Sequence, residues 1–275
     1  AFINFSSDNL QRHGGLGGYF YAKARLFLEN LTDVSVINID TAEGLFLFQR
    51  LNTVENKMIA ISSKLNIKNY LWAVGLKGSF ITEWKKGRQV YSFDLRNLGD
   101  SFLSLWESVL TVYALARSIG MAPKSILTKC SGFVPLAHRS QWVDEIKGVV
   151  FINDSKATNV DATIHALKTF KNVHLILGGR AKEDNFCQLQ DSMKNISRIY
   201  LIGEAASLIA SKLVGHEIEQ FDTLNDAFDS AISIATQGDT ILFSPACASF
   251  DQYLNFEERG EHFISLVKEY RKNII

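Results

Sequence analysis

The segment SPACASFDQYLNFEERG, residues 244–260, decides the fold of the second half of this chain. It follows a short apolar strand at 240–243 and opens with a turn of small residues at 244–249. A helix pattern comes next, with an apolar face at Tyr253, Phe256, Phe263, Leu266 and Val267 and a charged face at Glu257, Glu258, Arg259 and Glu261. Taken alone, the segment fits an ordinary strand-to-helix turn. Small side chains also let a ligand approach the backbone, and N–H groups at a helix start bind anions.

Three further strand ends in this half carry polar clusters. Strands at 148–152, 173–177 and 199–202 lead into NDSKATN at 153–159, GGRAKED at 178–184 and GEAA at 203–206. Helix patterns lie at 160–170, 204–213 and 223–236. Short apolar strands that alternate with helices predict a parallel sheet, whose ligands bind beyond the carboxyl ends of the strands.

We therefore expect one cleft that collects polar side chains from three distant loops: Asp154, Lys156, Thr158, Lys182, Ser244 and Ser249. Two cations, a carboxylate and several hydroxyls suit a substrate that carries carboxylate or phosphate groups. A dinucleotide-dependent oxidoreductase is a weaker alternative, because no Gly-x-Gly-x-x-Gly sequence follows any of these strands.

The first half of the chain predicts a mixed sheet and one long helix. Strand patterns occur at 34–40, 57–62, 70–74, 79–84 and 89–95, with a hairpin turn at 85–88. A helix pattern runs over 102–119 and is ended by Gly120 and Pro123. The sequence thus predicts two α/β domains, at 1–135 and 136–275.

Composition narrows the class of protein. The chain has 275 residues, 47% of them hydrophobic, and a formal net charge of zero, so nothing indicates binding to nucleic acid or to an anionic membrane. No apolar run is long enough to cross a bilayer. Three widely spaced cysteines, Cys130, Cys187 and Cys247, are typical of reduced thiols and predict a cytoplasmic protein. For Cys247 a small buried side chain is a better interpretation than a nucleophile.

The motifs at 153–159, 178–182 and 244–260 resemble the C-terminal domain of the Mur ligase family, in particular the members that add D-glutamate during peptidoglycan synthesis. FVPLAHR at 133–139 looks like the family's interdomain linker. DNLQRHG at 8–14 and YFYAKARLFLEN at 19–30 look like the second half of its central domain. The resemblance implies a truncated central ATPase-type mixed-sheet domain followed by a Rossmann-like C-terminal domain.

The resemblance also implies a reaction. ATP converts the carboxylate of UDP-N-acetylmuramoyl-L-alanine to an acyl phosphate, which the amine of D-glutamate attacks. By motif, Lys182 and Thr158 would hold the α-carboxylate of D-glutamate, with Lys182 counted among the catalytic residues. Ser249 and the backbone of Phe256 would hold its side-chain carboxylate.

On the nucleotide side, the resemblance implies roles for Arg139, Asp154 and Lys156, with Lys156 also catalytic. Lys23 matches the family lysine that carbon dioxide carbamylates, which would make it a catalytic ligand of Mg²⁺. The alternative is a solvated lysine on a helix. Asn9 stands where the family has a metal-binding histidine and would offer its side-chain oxygen to Mg²⁺ at a weaker site. No asparagine matches the family's adenine-side residues within 99–108.

The chain contains no Gly-x-x-x-x-Gly-Lys-Ser/Thr phosphate loop. Because the family has that loop upstream of the residues matched here, the resemblance predicts a C-terminal portion of a ligase that works with the missing N-terminal portion. The alternative is a non-catalytic module that binds D-glutamate or a protein partner.

Overall fold

The computed structural model describes residues 1–5, 10–29, 31–51, 57–64, 66–99, 102, 105–133 and 136–274. The chain divides into two compact units, Ala1–Val134 and Pro135–Ile275. Both combine a sheet with helices, which confirms the α/β class.

The first unit contains a five-stranded sheet in the order β1-β2-β3-β4-β5. Its strands are β1 Val34–Asn38, β2 Lys57–Ser62, β3 Trp72–Lys77, β4 Phe80–Lys85 and β5 Arg88–Asp94. β1, β2 and β3 are parallel, whereas β3, β4 and β5 are antiparallel. Its helices are α1 Leu10–His13, α2 Leu16–Leu28, α3 Ala42–Leu51, α4 Trp106–Ser118 and α5 Pro123–Cys130, with a 3-10 helix at Leu95–Leu98.

Alternating strand residues give this unit a core on each face of the sheet. Val36 and Ile59 pack toward α4 and α5, whereas Ile37 and Ala60 pack toward α2 and α3. The sequence patterns predicted all five strands with ends within three residues of those observed. They missed α3 and α5, and they began the long helix before Trp106, its first residue in the structure.

The second unit contains a six-stranded sheet in the order β10-β9-β8-β11-β7-β6. Its strands are β6 Gln141–Ile146, β7 Val149–Asn153, β8 Val173–Gly178, β9 Ile196–Ile202, β10 Ile218–Phe221 and β11 Thr240–Phe243. Its helices are α6 Val160–Leu167, α7 Ala206–Lys212, α8 Leu224–Ile234 and α9 Phe256–Ile274, with a 3-10 helix at Phe186–Asn195. All pairings are parallel except that of β6 with β7.

Helices cover both faces of this sheet, as a doubly wound fold requires. α6 and α7 pack on one face, and α8 and α9 pack on the other. The central strands β8 and β11 are buried along their whole length. The sequence patterns missed the two edge strands, β6 and β10. They also placed Tyr253 inside the last helix, which begins only at Phe256 because the Oδ1 of Asn255 accepts a hydrogen bond from the N–H of Glu258.

Candidate active site

The buried carboxyl of Asp154 lies at the carboxyl end of β7, beside β11. The backbone N–H of Ser140 donates to its Oδ1 at 2.8 Å, and the Oγ of Ser244 donates to its Oδ2 at 2.7 Å. Asp154 is only 7% exposed, and this burial raises the pKa of its carboxyl to about 6. The structure therefore brings Asp154 and Ser244 together, as the predicted parallel sheet led us to expect.

Asparagines at both ends hold the loop 153–159 in place. The Oδ1 of Asn153 accepts from the N–H of Ser155, and its Nδ2 contacts the Nδ1 of His138 at 2.9 Å. Asn159 caps α6, because its Oδ1 accepts from the N–H of Ala162. The partly exposed side chains of Lys156 and Thr158 lie between these two anchors.

Lys182 and Thr158 meet at the surface of the second unit. The Nζ of Lys182 donates to the Oγ1 of Thr158 at 3.3 Å, although the two residues lie on loops after different strands. A threonine hydroxyl carries one O–H donor, and a lysine ammonium carries three N–H donors. A carboxylate placed here would accept from both side chains.

Two glycines let the start of the Lys182 loop pack closely: Gly178 lies against Ile202 at the end of β9, and Gly179 lies against the loop of Ser249. Gly178 and Gly179 have φ values of 124° and 128°, and a Cβ on Gly179 would lie 2.4 Å from the carbonyl oxygen of Ala248. Arg180 and Ala248 exchange two backbone hydrogen bonds of 2.9 Å, which join the loops directly. Ser249 is 2% exposed and belongs to the joined segment.

Phe256 lies against Lys156. The Nζ of Lys156 is 3.8 Å from the centre of the Phe256 ring, a cation–π contact. The carbonyl of Phe256 accepts from the Oγ of Ser155 at 2.8 Å. Its N–H belongs to the first turn of α9, where the helix dipole favours an anion.

The structure also describes two further predicted residues, Arg139 and Lys23. Arg139 has an exposed side chain, although the neighbouring Ser140 binds Asp154. Lys23 lies on α2 in the first unit, exposed, with its Nζ 4.8 Å from the centre of the Tyr19 ring. Asn9 lies outside the described residues, as does part of the segment 99–108.

Arg259 is a residue whose place the helix pattern predicted wrongly. It was assigned to the charged face of the last helix, but it is 1% exposed. Its Nη2 donates to the carbonyls of Ser155 at 2.9 Å and Cys247 at 3.0 Å, and its Nε donates to the Oγ of Ser155 at 3.1 Å. The signal was present in the sequence, because Arg259 is three residues after Phe256 and four before Phe263, on the same side of a helix.

Burial also determines the state of Arg259 and of its neighbour Cys247. Desolvation lowers the pKa of Arg259 to about 10, which still leaves it charged at neutral pH. It raises the pKa of Cys247 to about 12, so the thiol stays protonated, as expected of a small core side chain. Among the described residues, no cluster of three or more His, Cys, Asp or Glu side chains is arranged to hold a metal, and no helix is long and apolar enough to span a membrane.

Comparison with known proteins places this geometry in context. Residues 138–247 match the family model described as Mur ligase, glutamate ligase domain. A protein of Cereibacter sphaeroides (strain KD131 / KCTC 12085) named UDP-N-acetylmuramoylalanine--D-glutamate ligase is 42% identical over 98% of this chain. The chain spans 58% of the length of that relative.

Solved structures support the fold. The crystal structure of UDP-N-acetylmuramate-alanine ligase from Thermotoga maritima aligns with a TM-score of 0.66 at 15% identity, covering 98% of this chain and 59% of that one. E. coli FolC in complex with ADP aligns with a TM-score of 0.65 at 15% identity, covering 98% and 60%.

Proposed function

The chain belongs to the Mur ligase family, and on that premise we propose that it is part of an ATP-dependent ligase that joins D-glutamate to UDP-N-acetylmuramoyl-L-alanine. The contact between Lys182 and Thr158 carries the proposal. It pairs a cation with a hydroxyl of defined direction, on the loops that follow the carboxyl ends of β8 and β7. The relative's printed name supports the choice of D-glutamate. No specific observation favours the non-catalytic module.

D-glutamate carries two carboxylates and an amine. We assign its α-carboxylate to Lys182 and Thr158, and its side-chain carboxylate to Ser249 and the N–H of Phe256. These groups lie on loops that are hydrogen-bonded to one another, so the two carboxylates would be held at a fixed spacing. The amine would then be left to attack an acyl phosphate, with phosphate as the leaving group.

We assign binding of the nucleotide to Arg139, Asp154 and Lys156. Two of these are cations, which suit phosphate oxygens, and Asp154 is anchored by Ser140 beside Arg139. A related fold has been solved with ADP, which supports use of ATP by this family. Three free thiols and substrates such as ATP support a cytoplasmic location.

We include Mg²⁺ with ATP in the proposal because Lys23 matches a family lysine that is carbamylated and would then be a ligand of the metal. Within the part of the chain that the structure describes, no group of three or more His, Cys, Asp or Glu side chains is arranged to hold a metal ion, and the ammonium of Lys23 lies over the Tyr19 ring. We therefore assign no step of the reaction to the metal.

Substitution of Lys182 tests the proposal. In the complete natural protein that carries this sequence, Lys182→Ala should abolish phosphate release that depends on D-glutamate, because the α-carboxylate loses its cation. Lys268→Ala, which alters an exposed lysine on α9, should leave the rate unchanged. Saturable, unaltered D-glutamate kinetics in Lys182→Ala would contradict the assignment.

A further inference from the structure

The guanidinium of Arg259 joins two of the loops that the proposed function assigns to substrates. Its Nη2 bridges the carbonyls of Ser155 and Cys247, which follow the adjacent strands β7 and β11. Ser155 lies between Asp154 and Lys156, and Cys247 lies two residues before Ser249. One buried side chain therefore sets the distance between the loop 153–159 and the loop 244–249.

Arg259 also reaches the start of its own helix through a relay. Its Nε donates to the Oγ of Ser155, and that hydroxyl in turn donates to the carbonyl of Phe256. The first turn of α9 is thus tied to the loop that carries Lys156, whose ammonium rests on the Phe256 ring. All of these contacts lie within the second unit.

We infer that Arg259 is a positioning residue for D-glutamate: by bridging the two loops it fixes the spacing between Thr158, Ser249 and the N–H of Phe256. The inference rests on the proposed function and adds a residue that touches no substrate.

The chemistry of the site favours arginine over any other residue at this position. A planar guanidinium supplies several N–H donors at fixed angles, so it can bind two carbonyls and a hydroxyl at once. Lysine would offer a charge in the same volume but no rigid bridge between the carbonyls of Ser155 and Cys247. Among the described residues, the Nη1 of Arg259 has no hydrogen-bond partner, although it is buried. A buried charge with an unsatisfied donor costs folding free energy, so stability alone does not account for an arginine at this position.

A comparison of Arg259→Lys with the natural protein tests this role, measured as D-glutamate-dependent phosphate release by the complete protein. We expect Arg259→Lys to raise the KM for D-glutamate about 10-fold or more, because small misplacements of binding groups have effects of up to about 100-fold. The KM for UDP-N-acetylmuramoyl-L-alanine should stay within about twofold, since neither loop is assigned to it. Arg271→Lys is the matched control: it lies on the same helix but pairs with Asp144 on the surface.

Each result has a separate meaning. If the natural protein shows no D-glutamate-dependent release, the proposed function fails and this inference fails with it. If the natural protein is active and Arg259→Lys lowers only kcat or thermal stability, with an unchanged KM for D-glutamate, the proposed function stands and the positioning role is refuted.

A second variant decides the question if Arg259→Lys does not fold. Ser155→Ala removes the hydroxyl that links Arg259 to Phe256 and leaves the guanidinium in place. We expect it to raise the KM for D-glutamate at least about threefold. An unchanged KM in Ser155→Ala would overturn the inference.

Discussion

Substituting Asp154 by asparagine should make the protein more stable at neutral pH while removing a group that the proposed function needs. Asp154 is buried between Ser140 and Ser244, and burial raises the pKa of its carboxyl from an ordinary value of 3.8 to about 6. The folded state therefore binds a proton more tightly than the unfolded state does. Ionisation of this carboxyl must cost folding free energy.

The size of the effect follows from the two pKa values. One pKa unit corresponds to about 1.4 kcal/mol, so the ionised carboxyl costs the folded state about 3 kcal/mol above pH 6. The penalty is absent below about pH 3.8 and reaches roughly half its full value at pH 5. An asparagine amide keeps hydrogen-bonding groups for Ser140 and Ser244 but does not ionise.

Urea unfolding of the natural protein and of Asp154→Asn at pH 5, 6, 7 and 8 measures this penalty. It should be followed at amide signals of β7 and β11, so that the transition of the second unit is observed. The stability advantage of Asp154→Asn should grow by about 1.3 kcal/mol between pH 5 and pH 7 and then level off. An advantage that stays constant or shrinks over this range would refute the raised pKa. The same variant should be inactive as a ligase, a trade-off expected of functional groups held in unfavourable environments.

Two further substitutions, each with a control, test close packing in the second unit and a buried carboxylate in the first. Gly260→Ala should cost about 1–3 kcal/mol of stability in urea unfolding, because a Cβ there would lie 2.2 Å from the Nδ1 of buried His138. Gly17→Ala, with open space around its Cβ in helix α2, should be neutral or stabilising, and equal effects of the two changes would contradict the argument. Glu83→Ala should destabilise the first unit by about 3–5 kcal/mol, because Trp72, Tyr113 and Arg117 all donate to this buried carboxylate. Glu29→Ala, which breaks only an exposed pair with Arg25, should cost less than about 1 kcal/mol, and a loss of similar size at both glutamates would show that burial does not govern the effect.

The pattern of short apolar strands and polar loops was sufficient to predict that the loops after β7, β8 and β11 lie close together in the second unit. Because the strands β7, β8 and β11 are parallel, their carboxyl ends lie at one edge of the sheet, and the polar residues that follow them had to come near one another. The contacts between Lys182 and Thr158 and between Asp154 and Ser244 are direct consequences. The roles of these residues in binding remain predictions drawn from the motifs.

Elements without a strong local pattern could not be predicted in this way. The edge strands β6 and β10 have mixed exposure, so their sequences lack the continuous apolar run of a central strand. Helices α3 and α5 are short, and α5 begins at Pro123, which the sequence suggested as the end of the preceding helix. Local signals of this kind fit more than one structure until the neighbouring elements are in place.

The sequence by itself determined the fold class and the loops that carry the candidate site, because these depend on the spacing of apolar strands, helices and polar clusters along the chain. Only the tertiary structure decided which charged residues are buried. The helix pattern predicts that Arg259 lies at the surface. In the structure the loops after β7 and β11 bury it, and their carbonyls accept its hydrogen bonds. The raised pKa of Asp154 has the same origin. Desolvation depends on what packs against a group from distant parts of the chain, and spacing within one segment does not contain that information.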